Sequence, residues 1–169
     1  FAKSDSTNGH EWVFRIGSNV NGNDVIRFIV FNYDGSTQIA TPTAGAPASG
    51  NVIGHYAGRI GSSTGSGLFV DVLRNGSFVN TAIGTYFVIS GTGDITIGTR
   101  VPDISTNSMV WGLYDDARMY NRLLTTAEIG SIYDGRDITN GLVARWTLDD
   151  GAGSIATSST DTVFVSGLV

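Results

Sequence analysis

The stretch that decides the fold is WGLYDDARMYNRLLTTAEIGSIYDG, residues 111–135. Its first part alternates between two faces, with Asp115, Ala117 and Met119 on one and Asp116 and Arg118 on the other. A period of two residues is typical of a β-strand. The pattern predicts a closing strand over residues 109–120.

The second part of the stretch predicts a short helix over residues 126–133. Thr125 suits the N-cap position, and Glu128 follows three residues later as its capping-box partner. Leu124 can pack against Ile129 across the cap, and Asp134-Gly135 provides a stop signal. This one segment therefore predicts a strand followed by a short helix.

Composition supports a domain built from many short strands. The chain has 169 residues, 23 of them glycine, no cysteine and a formal net charge of −5. That length is sufficient for one sandwich core without disulfides. The negative charge and the lack of a basic run argue against nucleic acid as a partner, and no apolar stretch is long enough for membrane insertion.

Upstream alternation predicts further strands. Residues 11–16 and 24–32 form two runs, and the second is apolar on both faces, as expected for a central strand. Residues 68–74 and 77–81 flank Asn75-Gly76, the dipeptide favoured in a two-residue type I′ hairpin. Further strands are predicted at 52–60, 86–89 and 94–98, whereas 41–51 and 61–67 are predicted to be a loop and a turn.

The order of these features resembles the closing signature of laminin-G-like, concanavalin A-like jelly-roll domains. An acidic pair, an Arg, Tyr-Asn-Arg and a capped Ala-Glu-Ile helix follow one another there, and the resemblance extends upstream over residues 50–135. It implies an all-β, two-sheet antiparallel jelly-roll sandwich with one short helix. It implies an interaction role but names no ligand.

The C-terminal segment 141–169 resembles the opening strand of the same family, displaced to the end of the chain. Its motif is GLVARWTLDDGAG, residues 141–153, following a main body of residues 1–140. It could begin a second repeat, complete the sandwich in cis, or pair with a neighbouring copy. We favour completion in cis. The residues expected to mediate this assembly are Leu142, Val143, Trp146 and Leu148.

Catalysis has little support in the sequence. A glycosidase of this fold needs two carboxylates across the scissile bond, usually Glu residues alternating on one strand. The chain contains only Glu11 and Glu128, and the capping box accounts for Glu128. The Gly61-Ser62-Ser63-Thr64-Gly65 match to a nucleophile elbow is followed by a strand instead of the required helix. The sequence therefore predicts a protein that is not an enzyme.

A calcium ion is the cofactor that the resemblance implies, because laminin-G-like domains often carry Ca²⁺ near the sandwich rim. Calcium needs six to eight oxygen ligands, and thirteen Asp residues supply carboxylates. The candidate ligands are Asp115 and Asp116, with Asp34, Asp71 and Asp103 as completers. A competing explanation pairs Asp116 with Arg118 and uses Asp115 for backbone hydrogen bonds.

Two tyrosines are the candidates for a ligand platform. Tyr33 and Tyr56 flank predicted loops, whereas Trp12, Trp111 and Trp146 lie in apolar strand patterns and are expected in the core. Two functions remain open. The first is a non-catalytic structural or interaction module of an extracellular, cell or virion surface, whose partners are copies of itself or other surface proteins. The alternative is a carbohydrate-binding, lectin-like module with Ca²⁺.

Overall fold

The structure is a computed structural model that describes residues 2–5, 9–18, 24–31, 38–40, 43–45, 54–63, 67–84, 94–97, 114–149, 156–157 and 162–163. Within these residues the chain forms short strands and one helix. In chain order they are β1 (Ala2–Asp5), β2 (Gly9–Ser18), β3 (Asp24–Phe31), β4 (Gln38–Ala40), β5 (Thr43–Gly45), β6 (Tyr56–Ser63), β7 (Gly67–Arg74), β8 (Ser77–Gly84), β9 (Asp94–Thr96), β10 (Ala117–Tyr120), α1 (Thr126–Tyr133), β11 (Leu142–Trp146), β12 (Ala156–Thr157) and β13 (Thr162–Val163).

Antiparallel pairing organises the strands into two main sheets. The larger follows the order β4-β3-β2-β1-β9, and β5 also pairs with β3. The second follows the order β6-β7-β8, and β10 pairs with β11 in a separate two-stranded ribbon. The architecture is the concanavalin A-like all-β sandwich with one short helix that the sequence predicted.

The core between the two main sheets comes from alternate residues of β3 and β7. Phe28 and Val30 of β3 pack against three residues of β7, and each of these side chains is buried. Those β7 residues are Leu68, Val70 and Val72. Trp12 and Phe14 meet the Phe28 ring edge-on, at centroid distances of 6.1 and 5.6 Å. Burying each such side chain contributes about 1.5 to 3 kcal/mol, so this contact holds the sheets together.

The opposite face of β7 meets the helix. Leu73 forms a second cluster with Leu124 and Ile129, and all three side chains are buried. Leu124 and Ile129 therefore do pack together across the helix cap. The Thr125 hydroxyl accepts a hydrogen bond from the Glu128 N–H while the Glu128 carboxylate accepts one from the Thr125 N–H, so the predicted capping box is present.

The hairpin is also as predicted. Asn75 and Gly76 both have positive φ, at 50° and 75°, as a type I′ turn requires. The Asn75 side-chain oxygen additionally accepts a hydrogen bond from the His55 N–H at 3.0 Å. This contact joins the turn to the start of β6.

Three boundaries differ from the sequence prediction. Part of the predicted loop 41–51 is β5, which pairs with β3, and β6 continues to Ser63 into the predicted turn 61–67. The predicted strand 109–120 is strand only from Ala117 within the described residues, because Asp116 adopts a φ of 48°. Residues 86–89 and 109–113 lie outside the described residues.

The C-terminal ribbon forms within a single chain. Ala117 lies opposite Trp146, Arg118 opposite Arg145 and Met119 opposite Ala144, in antiparallel register. Trp146 is 3% exposed. Strand β11 therefore occupies one edge of β10 in this structure.

Candidate functional site

An open groove lies on the face of the β6-β7-β8 sheet that turns away from β3. Its volume is about 500 Å³. Strand register builds it, because Asp71 lies between Arg59 on β6 and Thr81 on β8. The lining residues are Arg59, Phe69, Asp71, Phe78, Thr81, Leu123, Leu124, Thr125 and Thr126.

An ion pair is present in this groove. The Arg59 Nε donates to Asp71 Oδ2 at 2.7 Å, and the Arg59 Nη1 donates to the Leu124 carbonyl at 2.9 Å. Asp71 is 4% exposed, which makes it a buried carboxylate. Among the described residues Asp71 accepts through Oδ2, which leaves Oδ1 and the Arg59 Nη2 with no protein partner there. Within the described residues the groove thus offers an acceptor, Asp71 Oδ1, and the two N–H donors of Arg59 Nη2.

Apolar side chains line the groove or adjoin it. Phe78 is 49% exposed and Leu123 is 44% exposed. Ile83, which is 70% exposed, lies opposite Phe69 in the β7-β8 register. Leu123 and the Phe69 ring both lie close to Gly61, where a Cβ would collide with the ring. A concave apolar surface around buried polar groups is the usual form of a binding site.

A second charged site, here called the clamp, consists of Asp116, Arg118, Asp137 and Arg145. Arg118 donates to both Asp116 oxygens, at 2.6 Å from Nη2 and 3.1 Å from Nε, and Arg145 Nε donates to Asp116 Oδ1 at 2.6 Å. Asp137 Oδ1 lies 3.0 Å from nitrogens of both arginines. The clamp joins β10, β11 and the connection between α1 and β11.

The clamp's charges are strongly coupled to one another. Burial acts to raise the pKa of Asp116, but hydrogen bonds from Arg118 and Arg145 outweigh it and lower that pKa below its ordinary value. The hydrogen bond to Asp116 is the main cause that raises the pKa of Arg118. Both Asp116 oxygens are therefore occupied by guanidinium groups, which accounts for this carboxylate without a metal ion.

His55 lies close enough to the clamp to sense its charge. Burial is the main cause that lowers the pKa of His55, the Arg118 cation lowers it further, and the Asp116 anion acts in the opposite direction. Within the described part of the chain, the buried His55 Nδ1 has no hydrogen-bond partner, and its ring lies 6.0 Å from the Tyr133 ring. Burial and the Arg118 cation therefore both favour the neutral form of His55.

The predicted calcium ligands do not converge within the described part of the chain. No group of three His, Cys, Asp or Glu side chains forms there. Asp71 pairs with Arg59, Asp116 belongs to the clamp, and Asp115 is exposed. Asp34 and Asp103 lie outside the described residues, so calcium binding stays a prediction.

The remaining predicted residues fall in different environments. Tyr56 is half-buried and packs against the core cluster, which accounts for its ring without a ligand, and Tyr33 lies outside the described residues. Of the assembly residues, Trp146 is buried, Val143 is exposed, and Leu142 and Leu148 are half-buried. Trp12 packs against the core as predicted, and Trp111 lies outside the described residues.

Sequence reasoning missed the groove. It named Asp71 only as a possible metal ligand and did not single out Arg59, Phe78 or Leu123. One signal was available, since alternation along 68–74 places Phe69, Asp71 and Leu73 on one face. A carboxylate between two apolar residues on a strand indicates a nearby cation.

The fold defines a concanavalin A-like sandwich domain, and its surface carries the open groove. Residues 1–130 match the family model Laminin_G_3, described as the Concanavalin A-like lectin/glucanases superfamily. The match covers more than half of the chain, and the chain belongs to this family. The family covers interaction and lectin-like modules, which are generally non-catalytic and commonly extracellular.

Comparison with curated proteins gave no match, and comparison with solved structures gave none either. Among the described residues, no helix has the length and apolar character needed to cross a membrane.

Proposed function

We propose that this chain is a non-catalytic structural or interaction module of an extracellular or particle surface, and that it contacts other copies or other surface proteins through the groove. One observation carries the proposal: exposed Phe78 and Leu123 line the groove beside buried Asp71 and its partner, half-buried Arg59. Exposed Ile83 lies opposite Phe69, which also lines the groove. Protein interfaces are enriched in aromatic residues and arginine at their centres. The groove has this composition.

The state of the described acidic residues supports a non-catalytic role. Glu128 accepts hydrogen bonds from Arg122, at 2.6 and 3.1 Å, as well as from the helix cap. The hydrogen bond from Arg122 is the largest cause that lowers the pKa of Glu128 to about 2. A general acid needs a pKa near the working pH, so Glu128 is unsuited to protonate a leaving group. We expect no release of reducing sugar from β-glucans.

Self-association is the direct test of a groove interface. Sedimentation velocity over a series of protein concentrations should show reversible association of the wild-type chain, with the dimer population reduced severalfold by Leu123→Ser. Val143→Ser is the matched control, because Val143 is 45% exposed, almost the same as Leu123, and does not line the groove. Equal sedimentation of all three proteins at every concentration would count against a groove interface between copies.

Glycan binding in the same groove is the second candidate. Asp71 Oδ1, Arg59 Nη2 and the Thr81 hydroxyl could hydrogen-bond sugar hydroxyls, while the exposed Phe78 ring offers a stacking surface. A glycan array with and without a calcium chelator tests it. Signals lost in Phe78→Ala would support glycan binding, and chelator-sensitive signals lost in Asp115→Asn would support its calcium form. An array without any signal would exclude the sugars that it carries.

A further inference from the structure

Residues 136–149, here called the arm, lie beyond the part of the chain that matches the family model. Most of their side-chain hydrogen bonds and ion pairs within the described chain are with the stretch 116–122. The Arg136 N–H also donates to the Ser131 carbonyl of α1, and Ile138 packs against the cluster of Leu73, Leu124 and Ile129. The Tyr120 hydroxyl donates to the Ile138 carbonyl at 2.9 Å, Arg122 Nε donates to the Asn140 carbonyl at 2.8 Å, and Arg145 pairs with Asp116. The stretch 116–122, here called the acceptor segment, therefore forms the surface on which the arm docks.

The interface between the arm and the acceptor segment is a strand addition with specific side chains. Strand β11 runs antiparallel to β10, and the Asn121 N–H donates to the Gly141 carbonyl at 2.9 Å beyond the paired residues. On one side of the arm Ala144 and Trp146 are buried, and on the other Arg145 binds Asp116 and Asp137. An extended segment with a small residue, an arginine and an aromatic residue in succession fits this edge.

A hinge precedes the arm at Gly135. Its φ is +81°, it is exposed, and nothing lies within 4 Å of the position of a Cβ. The helix ends just before it, since the Gly135 N–H donates to the Ile132 carbonyl and the Arg136 N–H donates to the Ser131 carbonyl at 2.9 Å. Opening the hinge breaks the bond from Arg136. A change of backbone angles at Gly135 would redirect the whole arm while leaving its own internal geometry intact.

We propose that the arm is exchangeable and completes the β10 edge of a second copy of this chain, in a reciprocal dimer. The inference rests on the proposed role in assembly but uses a surface other than the groove. Exchange keeps each contact between the arm and the acceptor segment and breaks the bond from the Arg136 N–H to the Ser131 carbonyl, so the two forms differ by the hinge conformation, by that bond and by the cost of association. Protein concentration then decides which form prevails.

A disulfide can report which copy supplies the arm, because the chain contains no cysteine. Met119 and Ala144 are directly opposite each other in the β10-β11 register. Directly opposed residues in an antiparallel pair are about 4.5 to 5.5 Å apart between Cα atoms, which suits a disulfide. After oxidation of the double variant Met119→Cys/Ala144→Cys, non-reducing gels separate a linkage within one chain from a covalent dimer.

Substitutions at Gly135 should change the ratio of exchanged dimer to monomer, and the direction follows from the backbone angles that each new residue prefers. Gly135→Val places a β-branched residue at positive φ in the monomer, whereas the opened hinge allows the extended backbone that valine prefers. Gly135→Asn is the matched control, since asparagine tolerates positive φ. We expect a covalent dimer that grows with protein concentration and rises severalfold in the Gly135→Val background, but not in the Gly135→Asn background.

The outcomes separate this inference from the proposed function. Leu123→Ser should leave the covalent dimer unchanged, because Leu123 lies in the groove and exchange occurs at β10. Linkage within one chain alone, at every concentration and in both hinge backgrounds, would overturn exchange while leaving the groove interface standing. A double variant that is folded by circular dichroism yet forms no disulfide of either kind would also overturn it.

Discussion

The groove and the clamp each contain arginine–carboxylate pairs, but they differ in how many of their polar atoms the protein itself uses. In the groove, Asp71 engages one oxygen with Arg59. In the clamp, Asp116 engages both oxygens with two arginines, and Asp137 supports both of these arginines. Saturated charges hold elements together, whereas a pair with unused atoms beside apolar surface can receive a ligand. The difference supports an architectural role for the clamp and the recognition role that we propose for the groove.

The largest expected loss of stability is for substitution of Trp146, which lies on β11 next to the clamp. If the arm belongs to the same cooperative unit as the sandwich, Trp146→Ala should lower the free energy of unfolding by about 3 to 5 kcal/mol, as for other buried aromatic residues. Urea unfolding followed by circular dichroism measures it. Val143→Ala, on the exposed side of the same strand, should cost less than about 1 kcal/mol. A separate early transition for Trp146→Ala, with the main midpoint unchanged, would show that the arm unfolds independently.

Charge removal distinguishes the two sites directly. Asp71→Asn leaves the Arg59 cation without its carboxylate in a mostly buried position and should destabilise the fold by about 3 kcal/mol. Asp116→Asn should cost about 2 kcal/mol, because Asp137 still pairs with both clamp arginines but leaves one positive charge unbalanced, and asparagine tolerates the φ of 48°. Urea midpoints at neutral pH supply both values. A larger loss for Asp116→Asn than for Asp71→Asn would reverse the assignment of the two sites.

Features that depend on residues close together in the sequence could be predicted, whereas features that depend on distant residues could not. The capping box, the helix stop and the Asn75-Gly76 turn depend on residues within four positions of each other, and all three formed as expected. The groove depends on register, since Arg59 meets Asp71 only because the chain reverses so that these two residues face each other. No local pattern specifies that register. Asp116, where the strand breaks, likewise accepts a hydrogen bond from Arg145, which is 29 residues away.

The N-cap of the helix, Thr125, lines the groove, and its substitution should have a smaller effect for which the chain offers a matched control. Thr125→Ala removes the hydroxyl that accepts from the Glu128 N–H and should cost about 1 kcal/mol. Thr126→Ala is the matched control, because Thr126 also lines the groove but begins the helix, where alanine is favourable by about 0.5 kcal/mol. Thermal unfolding of the two variants should therefore shift in opposite directions. Equal shifts would mean that the capping bond contributes nothing measurable.

The smallest expected effect is a loss of folding stability in mild acid, caused by protonation of His55 near the clamp. The pKa of His55 is lowered from 6.5 by burial and by Arg118, with Asp116 partly offsetting them. As pH falls below about 6.5, the unfolded chain therefore binds a proton on His55 before the folded chain does, and stability declines until the pH passes the folded pKa. Asp116 and Glu128, whose pKa values are lowered, stay ionised at the start of this window. The urea midpoints of wild type and His55→Gln should be measured from pH 7.5 to about 5. Their difference reports the protonation of His55 alone, because His10 is present in both proteins. A difference that does not change with pH would mean that His55 titrates alike in the folded and unfolded chains, and that the clamp does not reach it.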